Sequence, residues 1–214
     1  MGSDCMPSSD YFSKVGGVAA ILGVVALLIA TLLHPLDAHP SDAPAAFTEY
    51  AADQFWVASH LGQLAGIMLI SGGLISLSWR LRAGRAGVWA ILGAGGAIAS
   101  LTLTGVLQAV DGIALKVMVD RWAAAAPSAK PPRFEAAFAV RQIEIGLASM
   151  VNVFFGLTAV LYAAALLCRS ARSKWLGWIG IIAGAATVAS GIIQAHTGFS
   201  DIAMAAGMPS NLLL

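Results

Sequence analysis

Three histidines and two carboxylic acids are the residues of this chain best suited to binding a metal ion. His60 and His196 are the first candidates, followed by His34, Glu144 and Asp111. Imidazole and carboxylate are common ligands of zinc, and a pair of histidines also holds the iron of some haems. No local ligand motif, such as His-Glu-x-x-His or a cysteine pair, accompanies them. A single zinc ion or a haem is therefore chemically possible, and the sequence favours no cofactor.

The composition places these residues in a membrane protein. Of 214 residues, 58% are hydrophobic and only 11% are charged, whereas soluble domains carry about 25% charged residues. The net charge of +1 gives no basic excess for binding nucleic acid. Five stretches are long and apolar enough to cross a hydrocarbon core of about 30 Å, namely 15–34, 55–79, 87–110, 140–168 and 175–196. We therefore predict an all-α, polytopic transmembrane helical bundle that forms a single domain over residues 1–214.

The basic residues predict how this bundle is oriented. They concentrate in the two short loops after the second and fourth spans, as Arg80, Arg82, Arg85, Arg169, Arg172 and Lys174. The positive-inside rule then places these loops and the N-terminus in the cytoplasm, with the longer loops 35–54 and 112–133 outside. The tryptophans, Trp56 among them, fall near predicted helix ends, which is typical of interfacial anchors.

Two segments outside the five spans also carry a prediction. Leu115, Val119 and Trp122 recur at helical spacing in the second outer loop, and Pro127 follows them. This pattern favours a short amphipathic helix at the membrane interface. The apolar end of the chain, 211–214, resembles the first turn of another span, which leaves open a sixth helix after Leu214.

The polar residues of the spans are predicted to lie at one depth. At about 1.5 Å per residue from the cytoplasmic ends, a set of polar side chains reaches the outer interface together: His34, His60, Gln63, Gln108, Asp111, Arg141, Gln142, Glu144, Gln194 and His196. Pairs such as Gln108 and Asp111, or Arg141 and Glu144, share one face of their helix. Polar faces do not point to lipid, so we expect them to meet inside the bundle at its outer mouth.

Three interpretations of this cluster remain open. The first is a structural network of Arg141, Glu144, Asp111, Gln108, Gln63 and Gln194, in which pairing alone accounts for the buried charges. The second is the metal or haem site described above. The third is a proton or substrate path, which would need polar residues across the whole membrane, but the polar faces fade toward the cytoplasm.

Four short segments are similar to those of small bacterial integral membrane proteins. They are WVASHLGQLAG at 56–66, DGIALK at 111–116, KWLGWIG at 174–180 and HTGFSDIA at 196–203. The resemblance implies a helical bundle in the inner membrane and carries no activity with it.

Together these observations favour an integral protein of the bacterial inner membrane that is not an enzyme. We expect an accessory or assembly subunit, in contact with lipids and with other membrane-protein subunits, whose polar cluster is mainly structural. The alternative is a metal- or haem-binding membrane protein, either a zinc-dependent hydrolase or an electron carrier.

Overall fold

A computed structural model of the chain describes residues 9–35, 37–169 and 171–206, without the side chains of 9 and 171–173. The segment 211–214, which suggested the start of a sixth span, lies outside these ranges. The described residues contain no strand. They form seven α-helices: α1 Ser9–Leu32, α2 Ala43–Ala52, α3 Trp56–Leu81, α4 Arg85–Gln108, α5 Lys116–Ala123, α6 Lys130–Leu167 and α7 Ala171–Thr197.

Five helical segments are long and apolar enough to cross a membrane, as predicted. They are Asp10–Leu32, Trp56–Leu81, Arg85–Ala123, Pro127–Leu167 and Lys174–Thr197. Large apolar side chains on several of them are exposed, including Ile21, Ile91 and Ile182. Apolar surface of this extent is typical of a multi-pass membrane protein, in which the bilayer covers it.

The spans pack closely where two glycines face each other. A Cβ added to Gly66 would lie 2.8 Å from the carbonyl oxygen of Gly23, so α1 and α3 meet backbone to backbone. In the same way, a Cβ on Gly184 would lie 2.7 Å from the carbonyl oxygen of Gly156, between α7 and α6. In lipid, no hydrophobic force drives helices together. They associate instead through close contact of their backbones, which small residues allow.

Two helices are much longer than a membrane crossing requires. The segment Arg85–Ala123 has 39 residues and α6 has 38, so each is roughly 55 Å long against a hydrocarbon core of about 30 Å. Their excess lies at one end of the bundle and packs with α2. We call α2, α5 and the first turns of α6 the cap. The cap has an apolar core of its own, which includes Ala46, Phe47, Leu115, Val119 and Ala137.

The amphipathic segment of the second outer loop differs from the prediction. It is not a separate helix, because α4 continues through a π-helix, Ala109–Leu115, directly into α5. The sequence Asp111-Gly112 suggested a break, but the wider π turn takes up both residues without one. The apolar face of α5 packs on α2 and α6 rather than on lipid, and Val119 is fully buried.

Helix α2 was not predicted, although its start carries ordinary signals. Asp42 accepts a hydrogen bond from the Ala45 backbone amide at 3.2 Å, and Pro44 occupies the first turn. Both features are typical of a helix N-terminus. At the other end, the Nζ of Lys116 donates to the carbonyl oxygens of Tyr50 and Ala51 at 2.8 and 3.1 Å. A side chain of the long helix thus caps α2 and holds it in place.

Candidate metal centre

Three of the five residues proposed as metal ligands meet beneath the cap. His34, His60 and Asp111 each offer one ligand atom, and these three atoms lie within 4.8 Å of one another. The Nε2 of His60 lies 3.0 Å from Oδ2 of Asp111. Two ligands of a tetrahedral zinc ion stand roughly 3.3 Å apart, given bond lengths near 2 Å. The His60–Asp111 pair is close to that spacing at its present hydrogen-bond distance.

The hydrogen bonds of the two histidines fix which nitrogen is free. Nδ1 of His34 lies 2.9 Å from the carbonyl oxygen of Pro35, and Nδ1 of His60 lies 2.7 Å from that of Trp56. A carbonyl oxygen can only accept, so each Nδ1 carries the hydrogen and each neutral ring keeps its lone pair on Nε2. Histidines that bind metals are commonly oriented by such a bond. A neutral His60 therefore carries no hydrogen on Nε2. A proton or a metal ion is needed to hold Nε2 and the Asp111 carboxylate together.

The π-helix places Asp111 and Gly112 against the second turn of α3. A Cβ added to Gly112 would lie 2.6 Å from Cβ of His60, so only glycine permits this approach. The indole Nε1 of Trp56 donates to the carbonyl oxygen of Asp111 at 3.1 Å, which ties the first turn of α3 to the π-helix. Wide turns of this kind frequently occur at functional sites.

Aromatic rings form one wall of the centre. Trp56 is only 1% exposed, and its ring centroid lies 4.6 Å from His60, 4.7 Å from His34 and 4.2 Å from Tyr50. Trp56 is therefore not the interfacial anchor that its position near a helix end predicted, since the cap covers it. Burial lowers the pKa of His34 below its ordinary value. The His34 ring is thus neutral at pH 7, the form that binds metals.

The centre contains more hydrogen-bond acceptors than donors. Four buried oxygen atoms have no hydrogen-bond partner within the described part of the chain: Oδ1 of Asp111, Oδ2 of Asp53, Oε2 of Glu144 and Oε1 of Gln108. An unsatisfied buried acceptor costs about 1–3 kcal/mol. Oε2 of Glu144 already faces Arg141. The unpaired oxygens of Asp111 and Asp53 lie near the two imidazoles, and they fit a group that brings positive charge.

Arg141 holds α2 and the loop that precedes it against α6. It is 2% exposed, and it donates from Nη1 to the hydroxyl of Tyr50 at 3.1 Å and from Nη2 to the carbonyl oxygen of Pro40 at 2.8 Å. Its guanidinium also lies 3.6 Å from Oε2 of Glu144, which makes an ion pair without a hydrogen bond. Glu144 in turn is close enough to Asp111 to interact with it electrostatically. The buried charges of the cap and of the centre are therefore linked.

The amides of the predicted network form hydrogen bonds across neighbouring helices. Gln108 donates from Nε2 to Oε1 of Gln63 at 3.1 Å. Gln194 accepts from Asn152 at 2.9 Å, between α7 and α6. These two pairs connect different helices, whereas Arg141 and Glu144 both lie on α6. The polar residues therefore fall into separate groups, of which the two amide pairs fix the packing of neighbouring spans.

The two remaining histidines lie outside the centre. His196 is exposed near the end of α7 and does not belong to the group of ligand atoms. His39 pairs through Nε2 with Asp201 at 2.9 Å, and both side chains are largely exposed. Helical spacing placed His196 at the right depth, but its side chain is on the exposed side of α7.

Sequence reasoning missed Asp53, Gly112 and the role of Trp56. Asp53 ends α2 and interacts electrostatically with both His34 and His60. No periodicity marks it, because it lies between two helices. Gly112 follows a candidate ligand directly, and a glycine in that position was a usable signal for close approach of another side chain.

The chain matches no model of a known protein family, no curated protein and no solved structure. The similarity to small bacterial membrane proteins therefore stays a prediction, and function has to be inferred from the geometry of the site.

Proposed function

We propose that this chain is a multi-pass membrane protein that binds one divalent metal ion, with zinc as the first candidate, through His34, His60 and Asp111. The observation that carries this proposal is that one ligand atom from each of His34, His60 and Asp111 lies within 4.8 Å of the others, while Nδ1 of both rings bonds to a backbone carbonyl. A bound ion would take the place of the proton that otherwise joins Nε2 of His60 to Oδ2 of Asp111. The surplus of buried oxygen atoms around them supports it, because a cation offsets the cost of burying them.

The ligand set narrows the choice of metal. Two imidazoles and one carboxylate are a common zinc set, and they also hold iron(II) in a three-ligand arrangement. Three protein ligands leave a position for water, whose pKa zinc lowers to about 7. Such a centre is equipped for hydrolysis, in keeping with the zinc-dependent hydrolase that the sequence offered as an alternative. The electron carrier offered beside it requires a redox metal such as iron.

A haem between the two histidines is not supported by their spacing. The ring centroids of His34 and His60 lie 5.1 Å apart. Two axial metal–nitrogen bonds of about 2 Å, together with the inner half of each ring, already exceed this distance. We therefore propose a single ion rather than a tetrapyrrole.

The orientation inferred from the basic loops puts this centre at the outer face of the membrane. A role as an accessory or assembly subunit is compatible with a bound ion. Co-migration with other membrane proteins after extraction in mild detergent tests that part of the proposal separately, and migration of the chain alone would contradict it.

Elemental analysis tests the metal directly. The purified protein is stripped with a chelator, reloaded with Zn²⁺ or Fe²⁺, freed of excess metal and analysed. We expect about one ion per chain, which His60→Ala and Asp111→Ala should lose. His196→Ala is the matched control, because that histidine is exposed and lies outside the centre. A wild-type protein that retains no metal, or an equal loss in the control, would contradict the proposal.

A further inference from the structure

A second concave site lies on the flank of the cap, away from the metal centre. It is a cavity of about 360 Å³ between α5 and the start of α6. Two arginines line it, Arg121 from α5 and Arg133 from α6, and the rest of its lining is Met118, Pro132 and Ala136. The cavity thus combines two guanidinium groups with largely apolar walls.

Neither arginine has an acidic partner among the residues that the structure describes. The acid next to Arg121, Asp120, is already engaged by Lys116 at 2.8 Å. Glu135, two residues after Arg133, is exposed and forms no ion pair within the same described ranges. The two guanidinium charges are therefore available to a ligand.

A hydrogen bond between α6 and α5 holds the two arginines close together. Nη1 of Arg133 donates to the backbone carbonyl oxygen of Arg121 at 3.0 Å, so one guanidinium is fixed beside the helix that carries the other. This bond already orders the side chain of Arg133, so less conformational entropy is lost when a ligand binds.

We propose that this cavity binds a phosphate group esterified to a small organic moiety. Guanidinium matches the planar, bidentate geometry that phosphate oxygens accept. The cavity is larger than a phosphate group needs, and its remaining surface is apolar, so the organic part of the ester packs on Met118 and Pro132. This inference does not depend on the metal centre.

The phosphate has two chemical sources, a phospholipid headgroup or a water-soluble ester. Arg121 lies nine residues beyond Gly112, which is about 13 Å along the helix. Gly112 contacts His60 near the start of α3, where we place the boundary of the hydrocarbon core. The headgroup layer occupies the next several ångströms, so both sources are within reach of an arginine side chain.

Ligand titration of the detergent-purified full chain tests the proposal. The probes are inorganic phosphate, glycerol 3-phosphate and short-chain phosphatidic acid, with short-chain phosphatidylcholine as the neutral-headgroup comparison, and binding is followed by native mass spectrometry and calorimetry. The test variant carries Arg121→Gln and Arg133→Gln. The matched control carries Arg80→Gln and Arg85→Gln, two exposed arginines at the opposite end of the bundle.

We expect at least one of the two esters to bind more tightly than inorganic phosphate, and the test variant to bind it at least about tenfold more weakly. The control variant should stay within about twofold of wild type. Binding of phosphatidic acid alone identifies a lipid headgroup, and binding of both esters identifies a site for soluble ligands as well. The proposal is overturned if no ester binds, if inorganic phosphate binds equally well, or if the test variant binds like the control. Both arginines are exposed, and the bond from Arg133 to the Arg121 carbonyl lies at the surface. The unfolding midpoint of the test variant should therefore lie close to that of wild type, which separates lost binding from lost folding.

Discussion

Replacing Gly112 by alanine tests whether the π-helix and His60 fit together as described. The new Cβ would lie 2.6 Å from Cβ of His60 and 2.9 Å from its Cγ, whereas ordinary van der Waals contacts begin near 3.4 Å. Both neighbours are buried and held by backbone, so neither can move aside freely. The substitution therefore pushes the imidazole and the π-helix apart, and with them Nε2 of His60 and Oδ2 of Asp111.

The expected magnitude follows from the size of this overlap. Inserting a methyl group into a packed site costs about 1–3 kcal/mol, which corresponds to a loss of metal affinity of about 5- to 150-fold if the strain falls on the ligand geometry. Competition with a chromophoric chelator measures the affinity for Zn²⁺. Denaturant unfolding in detergent measures the accompanying loss of stability.

Gly105→Ala is the matched control for this experiment. It is the same substitution in the same long helix, and a Cβ at Gly105 meets no atom of the described residues within 4 Å. Both variants gain the same helix propensity, up to about 1 kcal/mol, so the difference between them isolates the clash. If Gly112→Ala binds zinc as tightly as Gly105→Ala and is equally stable, the description of the His60–Gly112 contact is wrong.

Three further predictions concern the same region. Arg141→Ala should lower the free energy of unfolding of the metal-free protein by roughly 3–5 kcal/mol, because it leaves the buried carboxylate of Glu144 without its partner. His60→Ala should lower it clearly less. Equal losses of stability in denaturant unfolding would count against the paired charges. Since burial lowers the pKa of His34, the unfolded chain takes up this proton first, so the stability contribution is complete above the ordinary pKa near 6.5 and declines as the pH falls below it. The free energy of unfolding between pH 7 and 5 should therefore fall less steeply in His34→Gln, and an unchanged slope would refute this. Trp56→Phe keeps an aromatic wall but loses the indole bond to the π-helix, worth about 1 kcal/mol, so zinc affinity measured by chelator competition should fall about fivefold, and no change would show that the bond does not position the ligand.

The five spans could be predicted because the signal for a membrane crossing is local. About 20 apolar residues in succession suffice, whatever the rest of the chain does. The ends of the helices, in contrast, depend on contacts between distant parts of the chain. The continuation of α4 into α5 depends on how Val119 packs on α2, and that contact joins residues far apart in the sequence. Helix α2 itself is short, so its capping signals were not supported by a long periodic pattern.

The depth of the candidate metal ligands in the membrane could be predicted, but the direction of their side chains could not. Counting the rise per residue brought His34, His60 and Asp111 to one level, and they do meet. The same count brought His196 to that level, yet its side chain is exposed. Rotation of a helix about its own axis is set by its neighbours, and α7 packs on α6 through its glycine face. A single sequence indicates the depth of a residue in the membrane more directly than the direction in which its side chain points.

The π-helix between α4 and α5 also sets the rotation of α5 about the helix axis relative to α4. Its wide turn holds one residue more than an α turn does, over Ala109–Leu115. Every residue beyond it is rotated by about 100° relative to an uninterrupted α-helix. Deletion of Ala109 alone would therefore rotate Val119 and Trp122 away from the core of the cap while leaving the span below unchanged. One residue of chain length, rather than any side chain, decides whether the cap closes over the histidines.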